Sequence, residues 1–180
     1  MEDGRVHPAR IEEVVEKQKS ELTKSIKEEG DRVVMELGVP NIHPEIVKLI
    51  GSLKYRSSHA QNILNHSMEV AYIAGLLAGE LGVNVKLARR AGILHEIGRA
   101  IEHTAEGSYA IVGSEWAKKY GESEEICHAI RAHHEDEKPT SVLAWIIHAA
   151  NILSSTRPGA RRPHMDAYIH RLEDLESIGN

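Results

Sequence analysis

The chain has no phenylalanine, and its aromatic rings amount to two tryptophans and five tyrosines in 180 residues. Recognition of single strands by base stacking needs aromatic platforms, so strong binding of that kind is not expected. The single cysteine, Cys127, excludes an internal disulfide framework and fits a reducing compartment; it reads as a small apolar helix residue. Positive charge is not in excess either. With 27 acidic and 22 basic side chains the net charge is −5, so nothing draws the whole surface to nucleic acid, and any such contact must come from a local basic patch. No run approaches the ~18 apolar residues of a membrane span, and the N-terminus is acidic where a signal peptide would be basic and then apolar. The expectation is a soluble fragment without membrane contact of its own. Period-two alternation and internal repeats are also missing.

What is present is helical periodicity, and the fold reads as all-α. Ile11, Val15, Gln18, Leu22, Ile26, Val33 and Leu37 recur at three-to-four spacing between charged residues, the pattern of an amphipathic helix with one narrow apolar stripe. Such a helix either packs on its own domain or forms a dimerising arm, and Gly30 is placed to bend or interrupt it. Pro44 stands at the first position of a short helix ending near Lys54. A longer helix is expected from about Ser58 to Leu81, carrying His66. Asn84 caps the next, which delivers His95 and Glu96 near its end. Helices over 108–120 and 123–134 follow, then one capped by Thr140 or Ser141 and running over 142–155. That last helix is apolar on almost every face and is expected to be buried, with His148 and Asn151 as its conspicuous polar members. A final amphipathic helix is read over 165–178.

The segment Gly92-Ile93-Leu94-His95-Glu96-Ile97-Gly98-Arg99 closes an apolar helix with an imidazole beside a carboxylate, and Asn65-His66-Ser67 lies roughly thirty residues upstream. A divalent metal acting on a phosphate ester needs neutral imidazoles and carboxylates converging from separate helices, with positions left open for water and substrate. The arrangement resembles the HD superfamily, whose signature is a His, a His-Asp doublet and a distant Asp. Within it, the chain is similar to the C-terminal part of bacterial ribonuclease Y. The segments Asp3-Gly4-Arg5-Val6-His7-Pro8-Ala9-Arg10, Leu53-Lys54-Tyr55-Arg56, Gln61-Asn62 and Arg157-Pro158-Gly159-Ala160-Arg161-Arg162 share in that likeness.

The resemblance implies an HD-domain helical bundle over 41–180, preceded by a helical arm over 1–40 that would follow a KH domain. Because the chain opens at that joint, it is expected to be an excised piece or a shortened relative, lacking the family's membrane anchor, coiled coil and KH domain. It implies His66, His95, Glu96 and Asn151 as metal ligands for Mn, Mg, Zn or Fe, and Glu96, Arg99 and His133 in catalysis, with His133 orienting substrate or acting as a general acid. Arg157, Arg161 and Arg162, three guanidiniums within six residues, suit bidentate contact with substrate phosphate, and Arg89 and Arg90 extend that patch. The implied partners are single-stranded RNA, a second copy of the chain and RNA-degradation proteins, on the cytoplasmic side of the membrane that anchors full-length relatives.

Four positions depart from the family pattern. Glu96 stands for Asp, Asn151 for the final Asp, Arg99 for Lys, and Tyr109 for the His of a Gly-Ser-His triplet. Glu keeps the charge but moves it by about one C–C bond against a ligand tolerance near 0.2 Å, and Asn removes a full charge. Arg can hold phosphate but cannot release a proton as Lys can. Three functions therefore stay open: a metal-dependent endoribonuclease domain, a degenerate HD domain that keeps the fold for dimerisation or for binding RNA and partners, and a hydrolase of small nucleotides. His148, one turn before Asn151, is a candidate substitute ligand or a satisfied core histidine. The histidines at 7, 43, 59, 103, 128, 164 and 170 read as surface or capping residues.

Overall fold

The computed structural model describes residues 8–101, 108–134 and 137–160. Arg161, Arg162 and the helix expected over 165–178 lie outside these residues. Among the described residues the chain forms α1 (Pro8–Leu37), α2 (Pro44–Ser52), a two-residue hairpin of β1 (Ser57–Ser58) and β2 (Gln61–Asn62), α3 (Ile63–Glu80), α4 (Val85–Leu94), α5 (Tyr109–Lys119), α6 (Glu124–Ala132) and α7 (Val142–Thr156). The fold is all-α apart from that hairpin. His59 and Ala60 turn it with positive φ, and two-residue strands are too short to show an alternating pattern. The hairpin delays α3 to Ile63, later than the Ser58 start the periodicity suggested, because Asn62 caps it by accepting from the Asn65 amide at 3.1 Å. Asn84 and Ser141 cap α4 and α7 in the same way, and Pro44 opens α2.

α1 runs unbroken through Gly30. The glycine serves a close approach: a Cβ there would lie 2.2 Å from the Val47 carbonyl oxygen, and one at Gly51 would lie 1.9 Å from that of Ile26. α1 and α2 thus cross backbone to backbone, and Val33 and Leu37 pack into the core with Ile46 and Ile50. The N-terminal half of α1 is different. Residues 10–24 are exposed, including Ile11, Val14, Val15 and Leu22 at 43–54%. One stripe therefore serves both ways, packing at its C-terminal end and standing uncovered at the other.

The site rests on a tight bundle. α3 packs most extensively on α4 and also lies on α7, while α6 bridges α5 and α7. Ala71, Ala74, Ala78, Ala88 and Ala91 are fully buried, and a Cβ on Gly92 would meet the Ala71 Cα at 2.6 Å. Small residues let helices approach closely, so this core is filled without phenylalanine. α7 corrects an expectation. Leu143, Ala144, Ile147 and Ala150 face the core, but Val142, Trp145, Ile152 and Leu153 are 45–56% exposed, because α3, α4 and α6 cover only one side of it. Among the described residues, no helix is long and apolar enough to cross a membrane.

Candidate metal centre

Four helices bring their polar residues to one buried point. His66 comes from the first turn of α3, His95 and Glu96 from the end of α4, His133 from the end of α6 and Asn151 from α7; all are 6% exposed or less. The ring centroids of His95 lie 5.2 Å from those of His66 and 4.8 Å from those of His133. Two groups of donor atoms converge within 4.8 Å of one another, His66-His95-Glu96 and Glu96-His133-His134, with Glu96 common to both.

His95 and His133 are held by the same local device. Each caps its helix C-terminus and presents Nδ1 to the carbonyl oxygen three residues back, Gly92 or Ile130. A carbonyl only accepts, so Nδ1 carries the proton and Nε2 is a bare lone pair. Both Nε2 atoms are buried without a hydrogen-bond partner. Imidazoles anchored by one nitrogen to a backbone carbonyl and bare at the other are the form in which histidine binds metal. Burial pushes both pKa values down, with the neighbouring imidazoles adding to it, well below the ordinary range for His95 and to about 3 for His133. A neutral His133 offers a lone pair at Nε2, which suits orienting substrate or ligating a metal.

His66 and Asn151 form the third corner. His66 Nε2 is 3.1 Å from Asn151 Oδ1, and the Asn151 amide nitrogen donates to the His133 carbonyl oxygen at 3.4 Å. With its proton on Nδ1, His66 would turn a lone pair at Nε2 toward the Asn151 oxygen, and two such donors 3.1 Å apart suit a cation held by both. The donor set fits a divalent metal: His66, His95 and Glu96 offer ligand atoms within 4.8 Å of one another, and Asn151 and His133 lie beside them. It carries a single carboxylate, and that carboxylate is engaged: Arg99 Nε donates to Glu96 Oε2, and the guanidinium stacks 3.8 Å above the Tyr109 ring. Tyr109, where the family pattern has His, packs against His133 and His134.

Outside the cluster the sequence readings fare variously. Arg157 reaches the groove beside His66, but its Nε pairs with Glu69 at 2.6 Å. That groove holds about 670 Å³ and is walled by Gln61, Asn65, His66, Glu69, Tyr72 and Arg157 among others. Arg90 does not extend a phosphate patch, because it is locked onto the buried Glu122 through two 2.7 Å bonds. His148 donates toward the His133 carbonyl oxygen at 3.2 Å, a satisfied role. His43 caps α2 as read. His128 is instead buried, bonding Glu137 at 2.9 Å and accepting from the Thr140 amide at 3.1 Å. Glu69 and Ser154, which touch the cluster, escaped sequence reasoning. Each lies three residues beyond a candidate ligand on the same helix, and that spacing was the available signal.

The HD domain family model matches residues 63–156, more than half of the chain and the whole span from His66 to Asn151. The chain belongs to the HD domain family. Within it, the chain is similar to ribonuclease Y along its full length. Ribonuclease Y 1 of Bdellovibrio bacteriovorus is 76% identical over 180 residues, which are 100% of this chain and 34% of that protein. Ribonuclease Y of Geobacter sulfurreducens is 59% identical over 176 residues, 98% of this chain and again 34% of the relative. The chain thus spans about a third of the length of these relatives. A crystal structure of a "predicted HD superfamily hydrolase" from an uncultured Thermotogales bacterium aligns with a TM-score of 0.51 at 23% identity, over 74% of this chain and 89% of that one. This likeness establishes the fold alone.

The buried imidazoles give the centre a pH signature in the metal-stripped protein. An unfolded histidine takes up a proton as pH falls through about 6.5, whereas folded His133 stays neutral down to about 3. The unfolded state binds more protons in between, so this stability is complete above about 6.5 and is lost as pH drops toward 3. Each such imidazole gives a slope of about 1.4 kcal/mol per pH unit. Urea unfolding at pH 7.5 and pH 5 is expected to show a loss of at least about 2 kcal/mol, reduced in His133→Asn; equal losses in both would contradict the assignment.

Proposed function

We propose that this domain is the metal-dependent phosphodiesterase part of a ribonuclease-Y-like endoribonuclease, cleaving single-stranded RNA. The observation that carries the reading is the pair of buried Nε2 lone pairs on His95 and His133, aimed into a cluster that also holds Glu96, His66 and Asn151. A divalent cation held by His66, His95, Glu96 and Asn151 would polarise the phosphodiester and activate water. Glu96 is placed to take up the proton of an attacking water. Arg99, kept in place by Glu96 and Tyr109, offers its remaining guanidinium nitrogens to a phosphate oxygen. His133 orients substrate or joins the ligand shell. The groove at His66 leads the RNA backbone past Arg157, with Arg161 and Arg162 following in sequence.

We assign residues 1–40 to an arm and 41–180 to the HD domain. The exposed Ile11, Val14, Val15 and Leu22 favour a homodimer through that arm. RNA-degradation proteins are further partners, and the domain belongs on the cytoplasmic side of an anchored protein. A second reading has its own support. The Glu96–Arg99 ion pair and the neutral Asn151 leave the centre with little net negative charge, which favours a degenerate HD domain that binds RNA or partners without hydrolysis.

The deciding experiment is elemental analysis of protein purified without a His-tag or chelator, with His95→Ala in parallel to subtract adventitious binding. Near-stoichiometric Mn, Fe or Zn, lost in the variant, is expected for the hydrolase; negligible metal in both makes the second reading the function. Products from structured RNA, unstructured RNA and a nucleotide panel then separate an endoribonuclease from a small-nucleotide hydrolase.

A further inference from the structure

Ser154 of α7 stands between two side chains of α3. Its Oγ lies 2.8 Å from His66 Nδ1 and 2.7 Å from Glu69 Oε2. Ser154 is fully buried and His66 nearly so. Across the carboxylate, Glu69 Oε1 is ion-paired with the Arg157 guanidinium, its Nε 2.6 Å away. The row therefore runs Arg157, Glu69, Ser154, His66, Asn151, and the direction of its protons can be deduced.

An ionised carboxylate only accepts, so the single hydroxyl proton of Ser154 goes to Glu69. Ser154 then has only lone pairs to offer His66, and His66 Nδ1 must carry a proton and donate it. The neutral ring is thereby left with a lone pair at Nε2, the atom that faces Asn151 Oδ1 at 3.1 Å. Asn151 alone would favour the opposite tautomer, since its oxygen accepts from an Nε2–H. Glu69 and Ser154 tip the balance the other way.

We propose that Glu69 and Ser154 are positioning residues that hold His66 in its Nε2-bare tautomer for the metal, while Arg157 clamps Glu69 in place. The inference rests on the metal reading above for its purpose, but the tautomer itself is a property of the metal-free protein. His95 and His133 are set by backbone carbonyls of their own helices. His66 sits in the first turn of its helix and uses side chains in their stead. Outer partners of this kind typically contribute 10–100-fold to metal affinity.

The test has two arms on the full 180-residue chain. Long-range ¹H–¹⁵N NMR of metal-stripped protein at pH 8 is expected to show His66 protonated at Nδ1 and bare at Nε2 in wild type. Ser154→Ala and Glu69→Ala should move the proton to Nε2. Glu69→Gln keeps an oxygen that accepts from Ser154, so it should keep the wild-type form. In calorimetric titration with Mn(II) alone, the two alanine variants should bind about 10–100-fold more weakly than wild type, and Glu69→Gln less than tenfold more weakly. An Nε2–H or doubly protonated His66 in wild type would overturn the proposal, as would alanine variants unchanged in both arms. If wild type binds no Mn(II) while the tautomers behave as stated, the relay stands and the metal reading fails.

Discussion

Asn151→Asp is expected to raise divalent-metal affinity at least tenfold, a gain of about 1.4 kcal/mol or more. Among the described residues of the cluster the only carboxylate is Glu96, and Arg99 offsets much of its charge. Asn151 contributes a neutral amide oxygen, a weaker ligand than a carboxylate for Mn, Mg or Zn. Asp at this position would restore a second negative charge at the same place on α7, 3.1 Å from His66 Nε2. Without metal that carboxylate is costly, because position 151 is only 6% exposed and Glu96 lies in the same pocket. Stripped Asn151→Asp protein should therefore melt below wild type, and added Mn(II) should raise its midpoint by more than it raises that of wild type. Calorimetric titration reads the affinity directly. An unchanged affinity, together with an unchanged response of the melting midpoint, would remove position 151 from the ligand set. Combining the change with Glu96→Asp restores both departures and tests whether the two act through one ion.

Arg90→Met is expected to destabilise the fold by about 3–5 kcal/mol, the loss that follows removal of one partner of a buried ion pair. Glu122 has a side chain only 2% exposed and receives both Nε and Nη2 of Arg90 at 2.7 Å. Arg90 also donates to the Pro40 carbonyl oxygen at 2.7 Å and to that of Asn41 at 3.0 Å, so one guanidinium joins α4, the turn after α5 and the α1–α2 connection. For a chain of this length the midpoint of thermal unfolding should fall by roughly 6–20 °C. The double variant Arg90→Met/Glu122→Gln should recover part of this, because it removes the stranded charge while still losing the carbonyl contacts. A double variant as unstable as Arg90→Met would assign the loss to the carbonyls and not to Glu122.

Much of the centre was legible in the chain because its parts are local. The His95-Glu96 doublet and its glycine, the Asn84 cap and the Pro44 start each depend on a few neighbouring residues. Other features were misread for want of the third dimension. Gly30 signalled a break by propensity, yet its meaning was the approach of Val47 from another helix. The apolar faces of α7 predicted burial all round, whereas burial depends on which helices arrive, and they arrive on one side. Arg90 and Arg157 read as contacts for substrate phosphate, though their carboxylates, Glu122 and Glu69, lie far away in sequence.

From the sequence alone come the all-α class, the resemblance to HD domains and the residues His66, His95, Glu96 and Asn151, since periodicity and motif spacing are properties of the chain. Tertiary packing alone decided how His66 and Asn151 are held and how deeply the whole group is buried. The bonds from Ser154 to His66 and Glu69 span 88 and 85 residues and exist only because α7 lies across α3. Packing between other elements sets Arg99, the local partner of Glu96, against the Tyr109 ring and shields His95 and His133 from water. Burial and partner distance set proton positions and metal affinity, and both are consequences of how the helices meet.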